Sequence, residues 1–102
     1  MTLSIDIKGD GTRRILKLEG ECDIGSAPEL REALRPLVPP EVTDLRVDVY
    51  DLDFIDSTGL GVIVGALRRI REGGGELTLA GARGAVQRVL EVTRLDQAIP
   101  LA

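Results

Sequence analysis

Three consecutive residues, Asp56, Ser57 and Thr58, stand where an apolar strand-like run ends and a helical pattern begins, within Asp51–Gly61, DLDFIDSTGLG. Before them Leu45, Val47 and Val49 alternate with Arg46, Asp48 and Tyr50, the period of a strand with one buried face. After them Leu60, Ile63, Val64, Leu67 and Ile70 recur at helical spacing, and Gly73, Gly74 and Gly75 supply a stop. Ser57 therefore sits at or beside a helix N-terminus. The first amides of a helix lack internal acceptors and carry the positive end of its dipole, so a phosphate on this hydroxyl would find donors and a favourable field. Asp, Ser and Thr are also the preferred N-caps, so from position alone a plain cap is the first reading and a regulated hydroxyl the second. Gly59 and Gly61 in the first turn cost helix stability and suggest close backbone approach by a neighbour or a partner. With Gly65 and Arg68 on a similar face, they mark either a docking surface or tight helix–sheet packing.

Other chemistries fail on inventory. Acyl transfer from Ser57 needs a base, and the chain has no histidine, while Lys8 and Lys17 lie far away in sequence. The surroundings form no GxSxG elbow. One cysteine without histidine excludes a structural zinc site, and Asp48, Asp51, Asp53 and Asp56 lack calcium-loop spacing; they read as a solvated acidic rim. Gly81-Ala82-Arg83-Gly84 lacks the lysine and hydroxyl of a phosphate-binding loop and reads as a strand-to-helix turn. No enzyme activity, metal or cofactor is expected.

The elements that must position Ser57 follow from the pattern. Leu3, Ile5 and Ile7 alternate, Lys8 to Gly11 signals a turn, and Arg13 to Leu18 returns as a second strand. Ser26 is a candidate cap for a helix through Arg35, ended by Pro36 and Pro39-Pro40. A strand over Leu45 to Tyr50, the helix after Ser57, a strand over Glu76 to Ala80 and a helix over Arg83 to Val92 complete the order. Two strand–helix–strand units give parallel pairs beside an antiparallel hairpin. The predicted fold is α/β, a mixed sheet with helices on at least one face. Partner sites in such sheets lie beyond the carboxyl ends of strands, where Asp23 and Ser57 both fall.

At 102 residues the chain makes one domain with a modest core. The lone Cys22 allows no internal disulfide and reads as a small buried residue, which fits a reducing compartment. No signal peptide or apolar stretch of membrane-spanning length is visible, so a soluble cytoplasmic protein without membrane insertion is expected. A net charge of −4, dispersed basic residues and only Tyr50 and Phe54 as aromatics argue against direct nucleic-acid binding.

The segments DSTGLG after an apolar strand, GECD at Gly20 to Asp23 and GGGELTLAG at Gly73 to Gly81 together resemble the bacterial anti-sigma factor antagonists, single-domain STAS proteins. The resemblance runs from Leu3 to Leu95 and implies a STAS-like sheet of four to five strands. It implies partner switching: the unmodified form binds an anti-sigma factor that is also a serine kinase, which frees a sigma factor. Phosphorylation ends that binding, and a serine phosphatase restores it. Carried over by position, the phosphoacceptor is Ser57, the preceding acid Asp56 and the loop acid Asp23, with Thr58, Gly59 and Gly61 completing the partner surface. The chain departs from the family after Leu95, where DQAIPLA leaves room for a short last strand and no longer helix. Related STAS domains serve instead as constitutive subunits of phospholipid-transport or stress-sensing complexes, where the same helix end is a fixed docking surface.

Overall fold

The computed structural model describes residues 2–102. Two antiparallel strands, β1 (Leu3–Asp10) and β2 (Arg13–Cys22), are followed by helix α1 (Ala27–Leu34), β3 (Asp44–Ile55), α2 (Ser57–Glu72), β4 (Glu76–Ala80) and α3 (Gly84–Thr93). The sheet has the order β1-β2-β3-β4, antiparallel between β1 and β2 and parallel elsewhere. The hairpin and the two strand–helix–strand units thus form as the pattern implies.

Alternation decides which side of the sheet the helices cover. Leu16, Leu18, Leu45, Val47, Val49, Leu77 and Leu79 are buried, while the intervening Ile15, Arg46 and Tyr50 are exposed. One face therefore packs against helices and the other stays largely open to solvent, as antiparallel and mixed sheets allow. On the open face Lys17 meets Asp51 at 3.1 Å, and that contact raises the lysine above its ordinary pKa. Helix α2 inserts Leu60, Val62, Ile63, Ala66, Leu67 and Ile70 into the core. At roughly 1.5–3 kcal/mol for each large apolar side chain, this stripe offsets the two glycines of its first turn. Val62, outside the expected stripe, is buried as well, while Val64 within it is only partly covered.

Several boundaries differ from the sequence expectation. The hairpin turn is Gly11-Thr12, not Lys8 to Gly11, because Asp10 still pairs with Arg13 and Gly11 adopts the left-handed φ of +60° that a tight turn needs. β3 runs past Tyr50 to Ile55, because Leu52 and Ile55 are buried and pair with Gly20 and Cys22 of β2. α1 stops at Leu34, with Arg35 as its C-cap. After α3 the chain makes a short 3-10 turn, Leu95–Gln97, buries Ile99 and forms one parallel bridge between Leu101 and Leu79. The expected short last strand is therefore a single bridge, held by the Leu79 amide donating to Pro100 O and the Ala102 amide donating to Leu79 O.

Candidate functional site

Parallel pairing of β2 and β3 ends at Cys22 beside Ile55, so the loops that follow them emerge together. The Asp56 amide donates to Cys22 O at 3.1 Å. Asp56 is extended and caps α2: its Oδ1 accepts from the Gly59 amide at 2.9 Å. Its Oδ2 accepts from the Ile24 amide of the neighbouring loop at 3.1 Å. One carboxylate thus satisfies an orphan donor at the helix start and fastens the β2–α1 loop to it.

The two readings of Ser57 separate here. Asp56 does the capping, and Ser57 is the first residue of α2, exposed. No side-chain hydrogen bond engages its hydroxyl among the described residues. The Ser57 and Thr58 amides precede Leu60, the first amide to donate within the helix, so free donors stand beside that hydroxyl. Thr58 is half-buried at the next position.

Asp23 comes to the same end of the sheet, but its carboxylate is occupied. Oδ1 accepts from the amides of Gly25 and Ser26 at 2.9 and 3.1 Å and lies 3.3 Å from Ser26 Oγ. Ser26, the expected helix cap, makes no capping bond. Its hydroxyl instead accepts from the Asp23 amide at 2.9 Å and donates to Glu21 O at 3.1 Å. Asp23 and Ser26 together build the loop, in the manner of an Asx turn.

The glycines divide as well. Gly59 is buried, and a Cβ there would lie 2.6 Å from Cys22 Sγ and 3.0 Å from Ile55 Cγ1, so glycine is required by the floor of the site. A Cβ on Gly61 would meet nothing within 4 Å, and one on Gly65 only Arg69 Nη1 at 3.6 Å. Tight helix–sheet packing is therefore the wrong account of Gly61 and Gly65; their stripe faces outward. Beneath the site, Cys22 is fully buried. Burial foremost, then the charges of Asp56 and Asp23, push its thiol up to about 11, against a smaller opposing hydrogen bond from Ser26. Such a thiol is inert at neutral pH.

Sequence reasoning passed over Ile24, which is 74 % exposed, and Phe54, 39 % exposed, paired with Glu21 across the strands. Both flank the residues already singled out. The available signal for Ile24 was an isoleucine inside the turn Asp23-Ile24-Gly25-Ser26, outside every strand or helix stripe. Asp51 moves the other way: its bond to Lys17 takes it to the open sheet face, leaving Asp23, Asp53 and Asp56 as the acidic residues nearest Ser57 in the chain and its loops.

The family model described as Mlab, STAS domain matches residues 5–101. The chain belongs to the STAS family. This STAS chain is 35% identical over 102 residues to the anti-sigma-B factor antagonist of Bacillus subtilis strain 168, covering 100% of this chain and 93% of that protein. A crystal structure of an anti-sigma factor antagonist from Mycobacterium paratuberculosis superposes with a TM-score of 0.86 at 22% identity, over 98% of this chain and 85% of that one. The Bacillus cell fate determinant SpoIIAA in its phosphorylated form gives 0.76 at 20% identity, over 97% and 91%. These two structures bear on the fold, and the STAS sheet with its three helices is common to them.

Proposed function

We propose that this STAS chain is an anti-sigma factor antagonist, a regulatory binding protein and not an enzyme. The 35% identity to an anti-sigma-B factor antagonist along the whole chain supports that reading. In the mechanism we infer, the unmodified chain binds an anti-sigma factor and thereby frees a sigma factor in the cytoplasm. The anti-sigma factor is a serine kinase that modifies Ser57, and a serine phosphatase reverses the modification. One observation carries the assignment of Ser57: Asp56 supplies the cap, so the exposed serine hydroxyl at the first helical position has no structural task.

The chemistry of the switch is electrostatic. A phosphoserine brings about −1.5 to −2 charge, and here it would stand beside Asp56, with Asp53 four residues away in sequence and Asp23 in the loop that Asp56 fastens. Any partner seated on the unmodified surface would have to desolvate that dianion, and a hundredfold loss of affinity needs only about 2.7 kcal/mol. Asp56 can keep its cap throughout, so the switch needs no large change of shape.

The test is mass mapping of the protein from its own cells, at rest and under stress. Partial phosphate on Ser57 that varies with condition is the expected result; an unmodified Ser57 throughout would favour a constitutive subunit. Ser57→Ala should retain anti-sigma binding and abolish labelling by the kinase. Stoichiometric labelling of that variant would show the acceptor to be another residue.

A further inference from the structure

The β2–α1 loop presents an isoleucine to water and holds it there rigidly. Ile24 is 74 % exposed, although a residue in a turn of this kind is ordinarily small or polar. Its own amide is bound by Asp56 Oδ2, and the next two amides are bound by Asp23 Oδ1. The loop's return is fixed again by the Ala27 amide donating to Asp23 O at 2.8 Å. An exposed apolar side chain on a backbone with three consecutive amides already tied loses little conformational freedom when a partner covers it. That is the property of an anchor.

We propose that Ile24 is the apolar anchor by which this surface engages the anti-sigma factor kinase, entering an apolar cleft edged by lysine or arginine; the proposal rests on the function assigned to Ser57. Two observations select this occupant. An enzyme that reaches Ser57 must cover the residue before it, and that residue, Asp56, is itself bonded to the Ile24 backbone. The residues framing Ile24 are acidic, with Asp23 beside it in the loop and Asp56 bonded to its amide, which complements a basic rim and disfavours an acidic one. The arrangement has an apolar centre and a charged edge, the common plan of a protein interface. It also couples recognition to modification: phosphate on Ser57 adds negative charge next to the carboxylate that fixes the anchor.

The experiment uses the full chain and the anti-sigma factor kinase of the same organism, recognised by ATP-dependent labelling of Ser57 and held with ADP for binding. Ile24→Ala should weaken the dissociation constant at least tenfold, Ile24→Val by less than threefold, and both should melt like the parent protein because the side chain is largely exposed. Val92→Ala, at an equally exposed valine on α3, should stay within twofold. Ile24→Ala within twofold of the parent, or an equal loss in Val92→Ala, would overturn the anchor while Ser57 labelling and the function stand. Failure of any kinase to label or bind the parent chain would instead remove the function, and the anchor with it.

Discussion

The two ends of the parallel strands use their charges differently. At the carboxyl end, Asp56 and Asp23 spend their oxygens on backbone amides: Gly59, Ile24, Gly25 and Ser26. At the amino end, a cleft of about 340 Å³ is lined by Asp10, Arg13, Arg14, Asp44 and Arg46, and there Arg13 and Arg14 meet a side chain and a turn carbonyl. Arg13 Nε donates to Asp44 Oδ2 at 3.2 Å, and Arg14 Nε donates to Gly11 O at 3.2 Å. A carboxylate on two amides fixes backbone; an arginine on an exposed carboxylate fixes little, because solvent and salt compete for both partners. The end that carries Ser57 is thus the better-determined one, even though it consists of loops.

Substitutions can break that contrast, beginning with its strongest element. Gly59→Ala drives a methyl into Cys22 Sγ and Ile55, neither free to swing away, and should cost about 2–3 kcal/mol in urea unfolding. A cost under about 0.5 kcal/mol would mean that the floor of the site yields.

The thiol gives the next effect. Because the folded protein holds Cys22 near 11 and the ordinary value is 9.0, the unfolded chain gives up this proton first. The stability it confers is full below pH 9 and drains away as pH rises through 11. The fall attributable to Cys22 should reach about 3 kcal/mol once the pH has passed 11. Comparison of pH–stability curves for the parent and Cys22→Ala isolates it; parallel curves from pH 8 to 11 would exclude the effect.

Asp56→Ala should cost about 1–2 kcal/mol, since it removes a cap and an anchor for a second loop. Faster amide exchange should appear at both Gly59 and Ile24; exchange that changes only at Gly59 would separate the two loops. Arg13→Ala, at the opposite end, should change stability by less than about 0.5 kcal/mol, and a larger loss there would erase the difference between the ends.

Much of this was visible in the residues, for stated physical reasons. β4 appears over Glu76–Ala80 as expected, because Gly73 to Gly75 and Gly81 bound it and Leu77 and Leu79 alternate. α2 is equally legible from its apolar stripe. The division of labour among Asp56, Ser57 and Thr58 was not, since all three have similar capping preferences, and the second bond of Asp56, from the Ile24 amide, comes from 32 residues away. Nor could periodicity show that Asp23 turns its carboxylate into its own loop, or that Ile24 stands outside. Strand lengths were underestimated where pairing with a neighbour extended them, as at Asp10 and Ile55. Register is a long-range property that local turn preferences do not carry.

The contact between Cys22 and Gly59 also makes the protein its own reporter. The chain's sole sulfhydryl lies under the first turn of α2, sealed by a glycine with no room above it. An alkylating reagent can reach it only when the elements packed over it open, the first turn of α2 and the Asp23–Ser26 loop among them, so the rate of thiol capture under native conditions counts openings at this end of the sheet. Measured with and without phosphate on Ser57, it would read the mobility of the switch directly, with no probe attached.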